Sequence, residues 1–461
     1  AGDGVTGAAT LIQAIAQARI AAHSINLFLQ GQPVTSMPKE FLSKKENFRK
    51  LNKEDFIDKY AYHERQEMPT LPPEERKNFA EIELGYPNEE IAIEEANRCL
   101  ECGCTEYYTC KLKQYATEYN ASQINYSGEF NEYNIDFRHP FIEIDNNKCI
   151  LCARCIRICD EVVGASALGF VNRGFKTYVA PSLGASLLET SCESWGLCIS
   201  TCPTGAITEN YYFKPGPIKY EQAYTICNYC SIGCKIELNH KNGFVFRVNG
   251  AKGQINSNTN ICGIAKFAYH HYNDNKRITK PLIKKQGKFI PVSFEEALNL
   301  IAQSILNTLP NENGFFIGAR LTNEEMYLIQ KLARFVVKTN NISSFHYLER
   351  GKSYFTNSNK NVPFEELKNA SKFYVLGNNI FKNSPVLGYE LVNIKKIKNI
   401  PIKLISTQKD IQATNKANET FIIKNYYYFI KAVNHYLLSK NLENQLFIKD
   451  RCKGFDNYKD K

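Results

Sequence analysis

Fifteen of the chain's sixteen cysteines fall between Cys99 and Cys262, in four tight groups. The first is Cys99, Cys102, Cys104 and Cys110. The second is Cys149, Cys152, Cys155 and Cys159. The third is Cys192, Cys198 and Cys202, with Pro203 behind it, and the fourth is Cys227, Cys230, Cys234 and Cys262. Thiolates gathered in this way are soft ligands, and the metals they select are zinc and the irons of iron–sulfur clusters. A disulfide framework would spread its cysteines over the fold it staples. Metal-holding thiolates must stay reduced, which implies a cytoplasmic location.

The spacing favours iron. Cys149-x2-Cys152-x2-Cys155-x3-Cys159, answered by Cys192, Cys198 and Cys202-Pro203, is a two-cluster ferredoxin spacing, in which the fourth cysteine of each run ligates the other cluster. Cys149, Cys152, Cys155 and Cys202 are therefore expected to hold one [4Fe–4S] cluster. By symmetry the companion site uses Cys159, Cys192, residue 195 and Cys198, but residue 195 is Trp. Indole offers an N–H donor and no lone pair for iron. Seven-iron ferredoxins, which this site resembles in the missing cysteine, use a [3Fe–4S] cluster. That is the expectation for Trp195, with a labile four-iron cluster or no cluster as alternatives. Cys99, Cys102, Cys104 and Cys110 crowd four thiolates into twelve residues. That suits one [4Fe–4S] cluster better than zinc, whose all-cysteine sites use two separated pairs. A zinc-stabilised binding protein is the alternative of another class. Cys452 stands alone as a structural or surface thiol.

These ligands need elements to position them. At 461 residues the chain has room for three or four domains, and its 43% hydrophobic and 23% charged content is ordinary for globular protein. No run of about 18 apolar residues occurs, so no membrane span is expected. The net charge of +10 is scattered, without a basic stripe or interleaved aromatics, and reads as solvated surface; no nucleic-acid partner is expected. Residues 1–31 predict a helix: Thr6 offers an N-cap, Leu11, Ile15, Ala18, Ala22, Ile25 and Leu29 recur at helical spacing, and Gly31 stops it. Residues 32–95 read as a Pro- and Glu-rich linker with a helix near 88–98. Residues 96–137 form a Cys-rich [4Fe–4S] segment, 138–219 a two-cluster ferredoxin-like domain, and 220–283 a further small [4Fe–4S] domain. From 284 to 461 the pattern turns α/β, with Ser293–Glu296 as a capping box and buried strands at 315–317, 373–376 and 403–405. The fold class is multidomain α+β and α/β.

Resemblances sharpen this reading. Gly2-Asp3, Thr6 and Gly7 before a helix resemble the closing flavin-contact motif of glutamate-synthase-small-subunit-like FAD oxidoreductases. The resemblance implies FAD contact through these four residues, since a helix N-terminus favours negative charge. A buried amphipathic helix with a tight turn is the plainer alternative. The Rossmann fingerprint that should precede the motif is absent, so the chain is expected to be a fragment or split product. Met68–Arg76, Glu81–Gly85 and Ala96–Cys102 are similar to that family too.

Cys227-x2-Cys230-x3-Cys234-x27-Cys262 resembles the N-terminal cluster of molybdopterin oxidoreductases. From 138 to about 455 the chain resembles the electron-input half of cytoplasmic formate dehydrogenase alpha subunits, and the large iron–sulfur subunit of respiratory NADH dehydrogenase. Ala167–Gly174, Lys214–Pro217, Thr322–Glu325, Lys331–Arg334 and Thr339–Asn341 carry the likeness.

The family's catalytic features are missing. Ile264 stands where a lysine is usual, and no metal-ligating sulfur occurs in 343–350. Thr407-Gln408-Lys409 replaces a pterin-contacting turn, and Asn425–Tyr428 replaces another. Gly377-Asn378-Asn379 reads as a chain reversal, and His346 as a loop histidine. The resemblance thus implies a partial molybdopterin-type α/β domain, with no catalytic residues and no molybdopterin. The chain is expected to relay electrons through three [4Fe–4S] clusters and the Trp195 site. A flavoprotein or NAD(P)H-oxidising partner would supply them, and a separate catalytic subunit would receive them. The electron-input part of a molybdopterin-dependent formate dehydrogenase is the alternative.

Overall fold

The computed structural model describes residues 1–8, 10–37, 40–41, 61–99, 103–122, 128–211, 219–318, 320–344 and 362–459. The chain divides into two units, each drawn from separate stretches of the sequence. Residues 1–136, 144–150 and 202–218 make up the first; residues 137–143, 151–201 and 219–461 make up the second. The segment 138–219 thus contributes to both.

In the first unit, the helix Leu11–Leu29 starts on a reciprocal cap. The Thr10 hydroxyl accepts from the Gln13 N–H, and the Gln13 side chain accepts from the Thr10 N–H. This corrects the expected N-cap at Thr6: Asp3–Thr6 is a separate single turn between Gly2 and Gly7, both with positive φ. Gly31, at φ 67, ends the helix as expected. Among the described residues, none of this helix is buried. The Pro-rich segment closes on itself, with the Leu71 N–H donating to Ile82 O at 2.9 Å and the Leu84 N–H to Pro69 O at 2.8 Å. Asn88 caps the expected helix, Glu89–Ala96, by accepting from the Ile91 N–H.

In the second unit, strands Glu221–Ile226, Lys235–Lys241 and Phe244–Gly250 form an antiparallel meander. Its inner face presents Ile236 and Val248 to a core that also holds Cys227, Cys234, Cys262, Leu197 and Tyr389. Further on, Phe373–Leu376, Ile402–Ser406 and Glu419–Ile422 form a parallel sheet. Parallel strands need a crossover, and the helix Pro385–Lys398 supplies the first one. Pro385 starts this helix and the left-handed Asn399 ends it. One side of it covers Ile402 and Leu404 in the sheet core. Tyr389 and Val386 reach the cysteine core, and the helix lies along the π-helical turn Ile158–Val163.

The expected strands at 373–376 and 403–405 are present, but the first is buried on one face only, with Tyr374 and Leu376 exposed. The one at 315–317 is shorter, Phe315–Phe316, and is not buried. It pairs with Ile342–Ser343 in a two-stranded sheet, too small to cover Phe316. Ser293 caps the helix Phe294–Leu306 by accepting from the Glu296 N–H, while the Glu296 carboxylate pairs with Lys285 at 3.5 Å. Among the described residues, no helix is long and apolar enough to cross a membrane.

Candidate iron–sulfur centres

The backbone around the central cysteines has a repeated hand. Leu151 (φ 55) and Ala153 (φ 60) flank Cys152 in the left-handed region. Non-glycine residues adopt that region only where the surroundings over-determine it. Alternating hand turns backbone N–H groups inward into the anion-binding concavities found at many iron–sulfur sites. Ser194 (φ 58) and Gly196 (φ 71) flank Trp195 in the same way. Trp195 therefore occupies the place of Cys152 in a second loop of the same form.

Cys149 and Cys202 belong to the first unit, Cys152 and Cys155 to the second. Within the first unit, the Asp145 N–H donates to Ala206 O at 2.7 Å, and the Thr204 hydroxyl to Lys148 O at 2.9 Å. These bonds set the Cys149 and Cys202 segments side by side, with Cys202 Sγ 3.7 Å from Thr204 Oγ1. The first cysteine group packs onto the same place. The Lys111 N–H donates to Pro203 O at 2.8 Å, and a Cβ on Gly205 would stand 2.9 Å from Cys104 Sγ. Only glycine allows that approach. Cys110 caps the helix Lys111–Glu118, its sulfur accepting from the Lys113 N–H at 3.4 Å. Cys102 lies outside the described residues, as do Lys214–Pro217 and the 345–350 stretch with His346.

In the second unit, Cys159, Cys192 and Cys198 come together. The Ala167 N–H donates to the Cys159 sulfur at 3.3 Å, and the Ser194 N–H to the Cys192 sulfur at 3.4 Å. Burial pushes all three thiols up. Cys198 rises furthest, because Cys192, Cys159 and Cys155 add their charge to its burial. The fourth group is also gathered, with the Cys227 N–H donating to Cys234 O at 2.8 Å and Cys227, Cys234 and Cys262 buried. Burial, then the neighbouring cysteines, pushes Cys227 up to about 11 and Cys234 to about 12. Burial raises Cys262 too, opposed by the Ala265 and Ile264 N–H groups. Such thiols are neutral near pH 7 and lose their protons on meeting iron. Among the described residues, no group of three or more Cys, His, Asp or Glu is arranged so as to hold a metal ion. Cys452 is exposed.

Trp195 is held on three sides. Its indole N–H donates to Glu193 Oε2 at 2.6 Å, and Glu193 Oε1 takes the Lys416 ammonium in an ion pair whose side chains are 6% and 3% exposed. Its ring meets Tyr389 edge-on, with centroids 6.3 Å apart. A Cβ on Gly263 would collide with Ser194 O and stand 3.3 Å from Trp195 Cε3, so the turn after Cys262 presses directly on the Trp195 loop. Ile264 points outward, whereas Lys266, 1% exposed, runs its stem under Gly196. The spacing of cysteines carried no signal for Glu193, Lys416, Lys266 or Tyr389. Glu193 and Lys416 are 223 residues apart.

At the C-terminal sheet, Gly377 turns the chain at φ 90 directly after its strand. The Thr407 N–H donates to the Tyr426 hydroxyl at 3.3 Å, and that hydroxyl lies 3.6 Å from where a Gly377 Cβ would be. Asn425 caps the helix Tyr426–Ser439. Open α/β sheets bind ligands at the carboxyl ends of their strands, and here Tyr426 covers that end.

Three family models match the chain in succession. They are the ferredoxin-like domain of NADH-quinone oxidoreductase subunit 3 over residues 139–208, the molybdopterin oxidoreductase Fe4S4 domain over 221–274, and molybdopterin oxidoreductase over 277–445. An NADH-quinone oxidoreductase subunit of Rhizobium meliloti is 29% identical over 68% of this chain and 37% of its own length. The alpha subunit of an NADPH-Fe(3+) oxidoreductase of Geobacter sulfurreducens is 28% identical over 76% of this chain and 42% of its own. A Staphylococcus aureus protein provisionally named a formate dehydrogenase is 27% identical over 69% of this chain and 38% of its own. The chain thus spans about two fifths of the length of these relatives.

Proposed function

From a chain that belongs to the iron–sulfur and molybdopterin oxidoreductase family, we propose an electron-transfer role: the iron–sulfur segment of a flavin-dependent, NAD(P)H-linked oxidoreductase. The observation that carries it is a shared core. Cys159 and Trp195 pack against the same buried cluster of side chains as Cys227, Cys234 and Cys262. Iron–sulfur clusters bound there would supply one-electron carriers. Cys99, Cys102, Cys104 and Cys110 would hold the entry cluster. Cys149, Cys152, Cys155 and Cys202 would hold the second, Cys159, Cys192 and Cys198 a three-iron one, and Cys227, Cys230, Cys234 and Cys262 the last.

The chain's own residues tune these carriers. Burial removes water, and the Ala167, Ser194, Ile264 and Ala265 N–H groups face the sulfurs. No acid, base or nucleophile is required. The segment 284–461 would act as scaffold and docking surface, and the Tyr426 contact weighs against a pterin there. The relatives named for NADH and NADPH oxidation suggest the donor class. The flavin link rests on the resemblance at Gly2, Asp3, Thr6 and Gly7.

Anaerobic reduction of the chain, followed by its visible absorbance, tests this reading. Dithionite should bleach the charge-transfer bands, and NADPH should do so only with an added flavoprotein reductase. Formate should have no effect even after molybdate supplementation. Bleaching by formate would replace the proposal with the formate-dehydrogenase alternative.

A further inference from the structure

The phenol of Tyr389 is buried without a partner. The residue is 2% exposed, and its hydroxyl has no hydrogen-bond partner among the described residues. A buried hydroxyl in that state is destabilising, and phenylalanine would fill the same space without that cost. An acceptor that arrives with a bound group would account for the hydroxyl. Tyr389 comes from the helix Pro385–Lys398, in the α/β part of the chain, yet its ring lies in the core that contains Cys227, Cys234 and Cys262. Burial, then the charges of Cys262, Glu193 and Cys234, keeps the phenol protonated and so a donor. Both Glu193 oxygens already have partners, Trp195 and Lys416. Neither oxygen bonds the hydroxyl, and cluster sulfurs are the acceptors that would arrive with a bound group. As thiols they accept weakly, and as iron-bound thiolates they carry charge and accept well.

We propose that Tyr389 is a positioning and tuning residue for the cluster of Cys227, Cys230, Cys234 and Cys262, its hydroxyl donating a hydrogen bond to a cluster sulfur. The inference rests on the reading that these cysteines hold a cluster. A donor to sulfur stabilises the more negative reduced state and raises the reduction potential. The α/β region is then more than a scaffold, because one of its helices sets the potential of the last carrier in the proposed chain.

The experiment is an EPR-monitored redox titration of the anaerobically reconstituted chain, following the signal that Cys227→Ala abolishes. In Tyr389→Phe that signal should persist with a more negative midpoint, while the other signals keep theirs. Replacing Tyr389 with 3-fluorotyrosine, a stronger donor of nearly the same shape, should move the midpoint the other way. Pulsed ENDOR in H2O and D2O gives a second readout. The unaltered protein should show one exchangeable coupled proton more than Tyr389→Phe, in which those of the Ile264 and Ala265 N–H groups remain. A present cluster with an unmoved midpoint in both variants overturns the inference and leaves the cluster reading intact. Absence of any signal sensitive to Cys227→Ala overturns both.

Discussion

The Trp195 indole and the Tyr389 ring meet edge to face, with centroids 6.3 Å apart and planes 75° apart. Trp195 belongs to the loop of Cys192 and Cys198, and Tyr389 to a helix nearly two hundred residues later. Between them they fill the space where the cysteine groups of the second unit share one core. Edge-to-face packing is favourable for two rings, and it leaves the indole N–H free to reach Glu193. The residue that breaks the ferredoxin cysteine pattern is thus a fully integrated part of that core.

Restoring the cysteine tests the loop. Ser194 and Gly196 already hold the left-handed conformation that Leu151 and Ala153 show around Cys152. Trp195→Cys should therefore place a fourth thiolate without refolding the turn. We expect iron to rise by about one per chain, and the oxidised-state EPR signal of a three-iron cluster to give way to a reduced-state four-iron signal. Unchanged iron and an unchanged spectrum would show that the loop does not present residue 195 to the cluster.

The buried pair Glu193–Lys416 should behave asymmetrically. Lys416→Met alone leaves an uncompensated buried carboxylate, and stability should fall by about 3–5 kcal/mol. Combining it with Glu193→Gln, which keeps an acceptor for the Trp195 N–H, should recover most of that loss. Chemical denaturation of the three variants measures it. Equal losses in the single and double variants would show that the charge is not what matters.

The thiol shifts set a pH dependence for the cluster-free chain. Cys227 and Cys234 rise from 9.0 to about 11 and about 12 on folding. A raised acid stabilises the fold fully below its unfolded value and loses that contribution as pH climbs to the folded value. The contribution of these two thiols to the stability of the cluster-free form should be flat up to about pH 9 and decline from there to about 12. Iron binding replaces the protons, so the loaded form should not follow this decline. Thermal melts across that range, with and without reconstitution, provide the check.

Gly263→Ala should be costly out of proportion to one methyl group. The added carbon would collide with the Ser194 carbonyl, which is backbone and cannot swing aside. We expect about 1–3 kcal/mol of destabilisation, accompanied by changes in the spectra of both the Cys262 and Cys192 sites. A change confined to one site would show that the two turns are not in register as described.

The cysteine groups, the α/β character of the C-terminal region and the strands at 373–376 and 403–405 were legible in the sequence. Ligand spacing is local and periodicity is local, so neither needs the tertiary fold. The helix start at Thr10 was readable from the Thr10–Gln13 box, but Thr6 offered a competing cap. What the sequence could not reveal were long-range contacts. Lys416 reaches Glu193 across 223 residues, and Tyr389 reaches the cysteine core from the helix Pro385–Lys398. Neither residue has a local pattern that marks it. Burial of the strand at Phe315 was misjudged because a short apolar run looks the same whether or not a second layer covers it.

Metal and sulfide content per chain after anaerobic purification tests the central claim most directly. The account predicts about fifteen irons and about sixteen acid-labile sulfides, in three four-iron clusters and one three-iron cluster, and no molybdenum or tungsten. Stoichiometric molybdenum or tungsten would contradict the electron-relay assignment. A colourless protein with stoichiometric zinc and no sulfide would contradict iron–sulfur function altogether.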